Sequence, residues 1–387
     1  MKRTIKDLKN IKDKRVLLRC DFNVPLDNYG DILDETRITA SIPTIKYLND
    51  QNCKLIICSH LGRPKGYDKF LSLFPVAVCL MKYFPGKVKF CPKVVGDEVK
   101  RDIAKMKGGD ILVIENLRFD PREEANDLSF VKELASYADI YVDDAFGVAH
   151  RKHASNYGVA LKLPNAIGFL IEKELKVFDE AFKNPKRPFV AIFGGAKIKD
   201  KLPLIENVIG KADTILIGGG MAYTFLLAKG INIGKSIVDL SLVDEAKNIL
   251  AKAKKAGTKI ILPVDHVALR NGRVVKPIVL ETDMVGLDIG KGTIKLFSAE
   301  IKKAGQIVWN GPLGKYEDKA FRKGTFKIAK AVAKSSAYSI VGGGDSVGAI
   351  NTLGFAGCVD HLSTGGGASM KLMEGKTLPA IEVIDTL

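Results

Sequence analysis

Arg37, Arg63, Arg118 and Arg151 each stand in a polar stretch that follows a short apolar run. They keep company with Asp21, Phe22, Asn23 and Pro25 in "RCDFNVP", and with His60, Leu61 and Gly62 in "SHLGRP". The other two lie in "ENLRF" and in "DDAFGVAHRKH", which also holds His150 and His153. A single arginine so placed is ordinarily surface charge. Four gathered on one rim would grip a small, multiply anionic substrate, because guanidinium pairs bidentately with phosphate and carboxylate. His150 and His153 are three apart, but no third ligand follows at metal-like spacing. Hydrogen bonding to an anion, or plain structural satisfaction, is the expectation for them.

The second half carries glycine where the first carries arginine. "FGGAKIKDK", "IGGGMAYT", "VWNGPLGKYE", "VGGGDSVGAI" and "STGGGASM" each follow an apolar run or open a helical pattern. Glycine lets backbone approach a ligand closely, and a helix N-terminus presents free N–H groups to phosphate. With Lys197 and Lys201 in the first of these stretches, nucleotide phosphates are the preferred ligand. The common nucleotide motifs nevertheless fail. "GINIGKS" is one spacer short of a GxxxxGK[ST] loop, and after Gly342 and Gly344 the third glycine of GxGxxG falls one position late, at Gly348. The loop and catalytic motifs of protein kinases are missing too. Asp345 poses a separate question, since an acid directly follows three glycines in a stretch that should bind an anion. It either ligates a cation bridging the phosphates, directly or through water, or caps the following helix; the two roles are compatible.

These residues must be positioned by the elements that precede them. Apolar runs at 14–20, 54–60, 110–115 and 139–144, then at 189–193, 214–218, 259–264, 306–310 and 338–343, alternate with stretches apolar at helical spacing. Near-continuous hydrophobic strands separated by helices imply parallel sheets covered on both faces, hence an α/β fold of two doubly wound units. In such sheets ligands bind beyond the carboxyl ends of the strands, where the residues above lie. A helix over about 166–183, bracketed by Pro164 and Pro188, marks the boundary between the units and is a natural lever for domain motion.

The chain has 387 residues and a formal net charge of +16, from 60 Lys and Arg against 44 Asp and Glu. Aromatics are only 7% and no basic–aromatic stripe occurs, so a basic surface around an anionic-substrate site fits better than nucleic-acid binding. No apolar run approaches the ~20 residues of a membrane span, and the N-terminus lacks the apolar core of a secretory signal. The chain reads as soluble and cytoplasmic. Its six cysteines include no CxxC pair, which suits reduced thiols packed as small hydrophobes.

In order along the chain, "RCDFNVP", "SHLGRP", "ENLRF", "AHRKHAS", "GGAKIKDK", "GGGMAYTF", "WNGPLGKYE", "GGGDS" and "STGGGASMKLMEGKTLPA" resemble the motifs of the phosphoglycerate kinase family. Cys20 stands where that family commonly has valine and Ser346 where it has threonine; neither removes a ligand-type group. The resemblance implies two Rossmann-like parallel-sheet domains joined by a hinge helix, in a bacterial-type, monomeric, cytoplasmic enzyme of glycolysis. It implies domains at 1–165 plus 373–387 and at 166–372, with the C-terminal tail packed on the first. By the same analogy Asp21, Phe22, Asn23, Arg37, His60, Leu61, Gly62, Arg63, Arg118 and Arg151 hold 3-phosphoglycerate. Lys201, Gly290, Asn310, Glu317, Gly343, Gly344, Asp345 and Ser346 serve the nucleotide. Arg37, Lys197 and Lys201 flank the transferring phosphoryl group, and Mg2+ arrives with the nucleotide beside Asp345. A kinase for another small phosphorylated acid, a non-catalytic anion sensor and a dinucleotide dehydrogenase are the alternatives. The charge-stabilising trio favours catalysis, and the failed GxGxxG disfavours the last.

Overall fold

The computed structural model describes residues 2–387. They form two compact units, one made of the residues through Lys176 with Thr377–Leu387, the other of Val177–Lys376.

In the first unit the strands are β1 (Arg15–Arg19), β2 (Lys54–Cys58), β3 (Val88–Cys91), β4 (Ile111–Ile114), β5 (Ile140–Asp143) and β6 (Asn165–Ile167). All neighbours are parallel, in the order β3-β4-β2-β1-β5-β6. Val16 pairs with Leu55 on one side and Ile140 on the other. Every residue of β4 and β5 is buried, as a sheet covered on both faces requires. The covering helices are α1 (Thr36–Asp50), α2 (Phe74–Tyr83), α3 (Asp97–Ala104) and α4 (Leu128–Ser136), then α5 (Phe169–Lys183). From β1 the chain winds outward through β2, and from β5 it winds the other way through β6. The crevice of this sheet therefore opens between the carboxyl ends of β1 and β5. The C-terminal segment returns here: Ala380 N–H donates to Ala149 O at 3.1 Å, and Asp385 N–H to Asn165 Oδ1 at 2.8 Å.

In the second unit β7 (Phe189–Phe193), β8 (Thr214–Ile217) and β9 (Lys259–Ile261) are joined by α6 (Leu202–Val208), α7 (Ala222–Ala228) and α8 (Val243–Lys255). Helix α8 shows why such segments fold locally: Asp244 and Glu245 in its first turn and Lys252, Lys254 and Lys255 in its last match the helix dipole, and Gly257 at φ +73° follows its end. Next come β10 (His266–Arg270), β11 (Arg273–Val275), β12 (Met284–Ile289) and α9 (Lys291–Lys303). The chain continues with β13 (Gln306–Asn310), α10 (Lys323–Ala333), β14 (Tyr338–Val341), α11 (Gly344–Thr352), β15 (His361–Leu362), α12 (Gly367–Met373) and, back in the first unit, α13 (Pro379–Glu382). The main sheet runs β15-β14-β13-β7-β8-β9, so its crevice opens between β7 and β13.

Two sequence expectations are corrected. The helix expected over 166–183 begins at Phe169, because Asn165–Ile167 pairs with Tyr141–Asp143 as the edge strand β6. It contributes residues to both units, through Lys176 to the first and from Val177 to the second. The antiparallel sheet β11-β10-β12 was not foreseen, although Asn271-Gly272 between β10 and β11 is the dipeptide a two-residue hairpin favours. Both turn residues have positive φ, 47° and 77°. No helix among the described residues is long and apolar enough to cross a membrane.

Candidate functional site

The carboxyl ends of β1, β2, β4 and β5 bring most of the expected substrate residues onto one rim. Asp21, 5% exposed, accepts a hydrogen bond from Arg37 Nη1, and Arg37 reaches it from the first turn of α1. Gly147 lies against this pair: a Cβ there would collide with the Asp21 carboxylate. Phe22 is fully buried, and its N–H donates to Ser59 Oγ at 2.9 Å. Asn23 Oδ1 accepts the Gly62 N–H at 2.8 Å, tying the first loop to the second. Leu61 is buried and clamped by Asn116. Arg118 is buried and donates from Nη1 to Gly62 O at 2.6 Å; burial lowers its pKa from the ordinary arginine value. Arg151 donates from Nε to His150 Nε2 at 3.3 Å. Arg63 is exposed.

His60 is the interior member of the rim. Burial first, then Arg19, Arg118 and Arg37, pushes its pKa well below the usual histidine range, so the ring is neutral. Its Nδ1 lies 3.2 Å from Arg19 Nη2. A guanidinium has only donors, so Nδ1 accepts and Nε2 carries the proton, ready to donate to an anion. Arg19 was not foreseen as part of the site. It is 1% exposed, and Nε donates to Ser155 Oγ at 2.8 Å while Nη1 donates to Cys20 O. Ser155 Oγ in turn donates to Glu123 Oε1 at 2.6 Å, and Ser155 N–H donates to Glu123 Oε2 at 3.0 Å. A fully buried chain, Glu123–Ser155–Arg19–His60, thus fixes the tautomer of the one imidazole on the rim that faces Asp21. The available signal was an arginine inside the apolar strand "RVLLR", since a buried charge needs a partner.

The second rim forms at the ends of β7, β13 and β14. Lys201 Nζ donates to Asn310 Oδ1, and Asn310 Nδ2 donates to Gly342 O at 2.7 Å. Burial lowers the Lys201 pKa, against the pull of Asp345 and Asp200. Gly343, at φ +93°, has no space for a Cβ beside Asn310. Ser346 is buried, and its Oγ accepts the Gly311 N–H at 2.5 Å. Lys201, Asn310, Gly343, Asp345 and Ser346 are therefore brought together; Lys197 and Glu317 are exposed on neighbouring loops.

Two details differ from the sequence reading. Asp345 does not cap α11: the N-cap is Gly343, no side chain caps the helix, and the exposed Asp345 sits in its first turn. Gly290 precedes α9, but that helix start is already occupied by Asp265, whose carboxylate accepts the Gly292 and Thr293 N–H groups, each at 2.7 Å.

Two parallel-sheet units, one with Arg37 and the other with Lys201 at its topological switch point, define an α/β protein of the doubly wound class with a cationic crevice in each sheet. Comparison with known proteins makes the class specific. The family model for phosphoglycerate kinase matches residues 5–376. The phosphoglycerate kinases of Finegoldia magna and Dictyoglomus turgidum are 51% and 50% identical, each match covering 99% of both chains. The solved structure of phosphoglycerate kinase from Coxiella burnetii superposes with a TM-score of 0.88 at 36% identity, covering 99% of each chain. That of the Pyrococcus horikoshii enzyme gives 0.85 at 33% identity, over 99% of this chain and 98% of that one. The chain belongs to the phosphoglycerate kinase family.

Proposed function

We propose that Arg37, Lys197 and Lys201 carry the chemistry of this phosphotransferase, the reversible transfer of a phosphoryl group from 1,3-bisphosphoglycerate to ADP. The first rim holds 3-phosphoglycerate through Asp21, Asn23, Arg37, His60, Arg63, Arg118 and Arg151. The second holds the nucleotide through Lys201, Asn310, Glu317 and the Gly343–Ser346 turn, the helix start after Gly290 being taken by Asp265. The observation that carries this reading is the cationic group at each switch point, Arg37 paired with Asp21 in one sheet and Lys201 bonded to Asn310 in the other.

In the reverse direction the nucleophile is a carboxylate with a pKa of roughly 4, already ionised at neutral pH, so no general base is required. What remains is in-line positioning and neutralisation of the phosphoryl oxygens, the work of guanidinium and ammonium groups. A magnesium ion bound with the nucleotide would neutralise part of the phosphate charge, with Asp345 as the residue to hold it. Among the described residues no three acidic, imidazole or thiol groups form a metal cluster, and the single exposed carboxylate of Asp345 suits an ion that keeps phosphate and water as its other ligands.

In this reading the protein acts as a cytoplasmic monomer, and the two substrates meet by bending about α5. Small-angle scattering should show compaction only with both ligands present; unchanged dimensions would remove the bending step. The decisive test of the chemistry is Arg37→Ala. Loss of a contact made to the transition state should cost roughly 3–4 kcal/mol of barrier, a 10²- to 10³-fold fall in kcat, with nucleotide KM nearly unchanged. Near-normal turnover would end the assignment.

A further inference from the structure

Glu123 and Glu124 are neighbours in sequence, yet the fold treats them in opposite ways. Glu123 is fully buried with both oxygens hydrogen-bonded by Ser155. The Glu124 side chain is 55% exposed, and its Oε1 lies 3.2 Å from Arg118 Nε and 3.8 Å from Arg151 Nη1. One carboxylate oxygen thus faces two of the guanidinium groups that would hold the substrate.

Neither contact is a locked one. Arg118 Nε makes no hydrogen bond of acceptable geometry, and a separation of 3.8 Å is charge attraction without a hydrogen bond. Ion pairs with a half-exposed partner are screened and add little to stability. The arginines do not depend on Glu124 for their placement either. Arg118 is anchored by burial and by its 2.6 Å bond to Gly62 O, and Arg151 is held through His150. A scaffold carboxylate would be buried and saturated, as Glu123 is. Glu124 is instead placed as a substrate oxyanion would be.

We propose that Glu124 sets the affinity of the substrate site, as an internal carboxylate that competes with the anionic substrate for Arg118 and Arg151 and yields to it on binding. This rests on the reading that those two arginines hold 3-phosphoglycerate. Glu124 lowers affinity twice, by neutralising the arginines in the free protein and by repelling the bound phosphate or carboxylate. It also limits how long a multiply charged product stays. Glu124 acts through the arginines and takes no part in the transfer itself.

The test is Glu124→Gln, which preserves size and acceptor oxygen but removes the charge. At low ionic strength the KM for 3-phosphoglycerate should fall about three- to tenfold, with the KM for ATP unchanged. The gain should shrink at about 0.5 M salt, where the screening length is only a few ångströms. Inorganic phosphate, measured by calorimetric titration, should also bind more tightly but gain less, because it carries less charge. A KM that is unchanged or raised overturns the proposal and makes Glu124 a bystander or a support. Arg118→Ala and Arg151→Ala separate this from failure of the underlying reading. If both leave the 3-phosphoglycerate KM unchanged, the substrate assignment itself falls; if they raise it while Glu124→Gln fails to lower it, only the role of Glu124 falls.

Discussion

Replacing Ser155 by alanine tests the buried chain behind the arginine rim. Its hydroxyl accepts from Arg19 Nε at 2.8 Å and donates to Glu123 Oε1 at 2.6 Å, and all three residues are fully or almost fully buried. Without the hydroxyl, one guanidinium donor and one carboxylate oxygen lose their partner in the interior. A buried polar group left unpaired costs about 1–3 kcal/mol, more when charged. Arg19 keeps Cys20 O and His60, and Glu123 keeps the Ser155 N–H, so the loss is partial. About 3 kcal/mol is the expected total. For a unit of this size each kcal/mol moves Tm by roughly 2–4 °C, so scanning calorimetry should record a fall of about 6–12 °C. The functional consequence follows from His60. With Arg19 no longer held at Nε, the donor that fixes Nδ1 as an acceptor loosens, and the KM for 3-phosphoglycerate should rise about five- to tenfold while that for ATP stays put. A Tm within about 2 °C of the parent, together with an unchanged KM, would refute the claim that Ser155 links Glu123 to the site.

Further expectations concern charge. Burial pushes the Asp144 carboxyl up to about 7, while its Oδ1 accepts the Leu170 and Ile171 N–H groups at the start of α5. A raised folded-state pKa means that folding takes up a proton, so this contribution is complete below about pH 4 and is lost as pH rises through about 7. Asp144→Asn keeps the accepting oxygen and removes the titration; relative to it, the parent should lose on the order of 4 kcal/mol in urea unfolding between pH 4 and 8, and parallel pH profiles would contradict the shift. Asp345→Asn should weaken nucleotide binding chiefly when magnesium is present, because no helix cap is lost; equal weakening without magnesium would show that its contribution is not to the cation. Gly194→Ala should lower stability with no direct effect on nucleotide contacts, since the added methyl would meet the carbonyls of Gly311 and Pro312. An unchanged Tm would mean that these two loops give way freely.

The arginine rim was legible because its signals are local. Parallel strands buried on both faces read as continuous apolar runs, and the candidate residues lie directly beyond them. Long-range pairing has no such signature. Arg19 and Glu123 are brought together through Ser155 only once β1, the loop before α4 and the segment after β5 have packed. The hairpin of β10 and β11 was signalled by Asn271-Gly272, but β11 is a three-residue strand too short to register as an apolar run. The glycine-rich turns stand at the strand ends, and several of their glycines answer to the protein's own backbone. Glycine permits close approach by any backbone, whether a ligand's neighbour or the protein's own. Gly194, Gly219 and Gly311 are needed because the loops after β7, β8 and β13 press against one another backbone to backbone. Gly344 differs, since a Cβ there would meet nothing within 4 Å, at the start of a helix that no side chain caps. The nucleotide assignment in the second unit therefore does not rest on the number of glycines. It rests on one open helix terminus, with Lys201 and Asp345 within electrostatic reach of each other beside it.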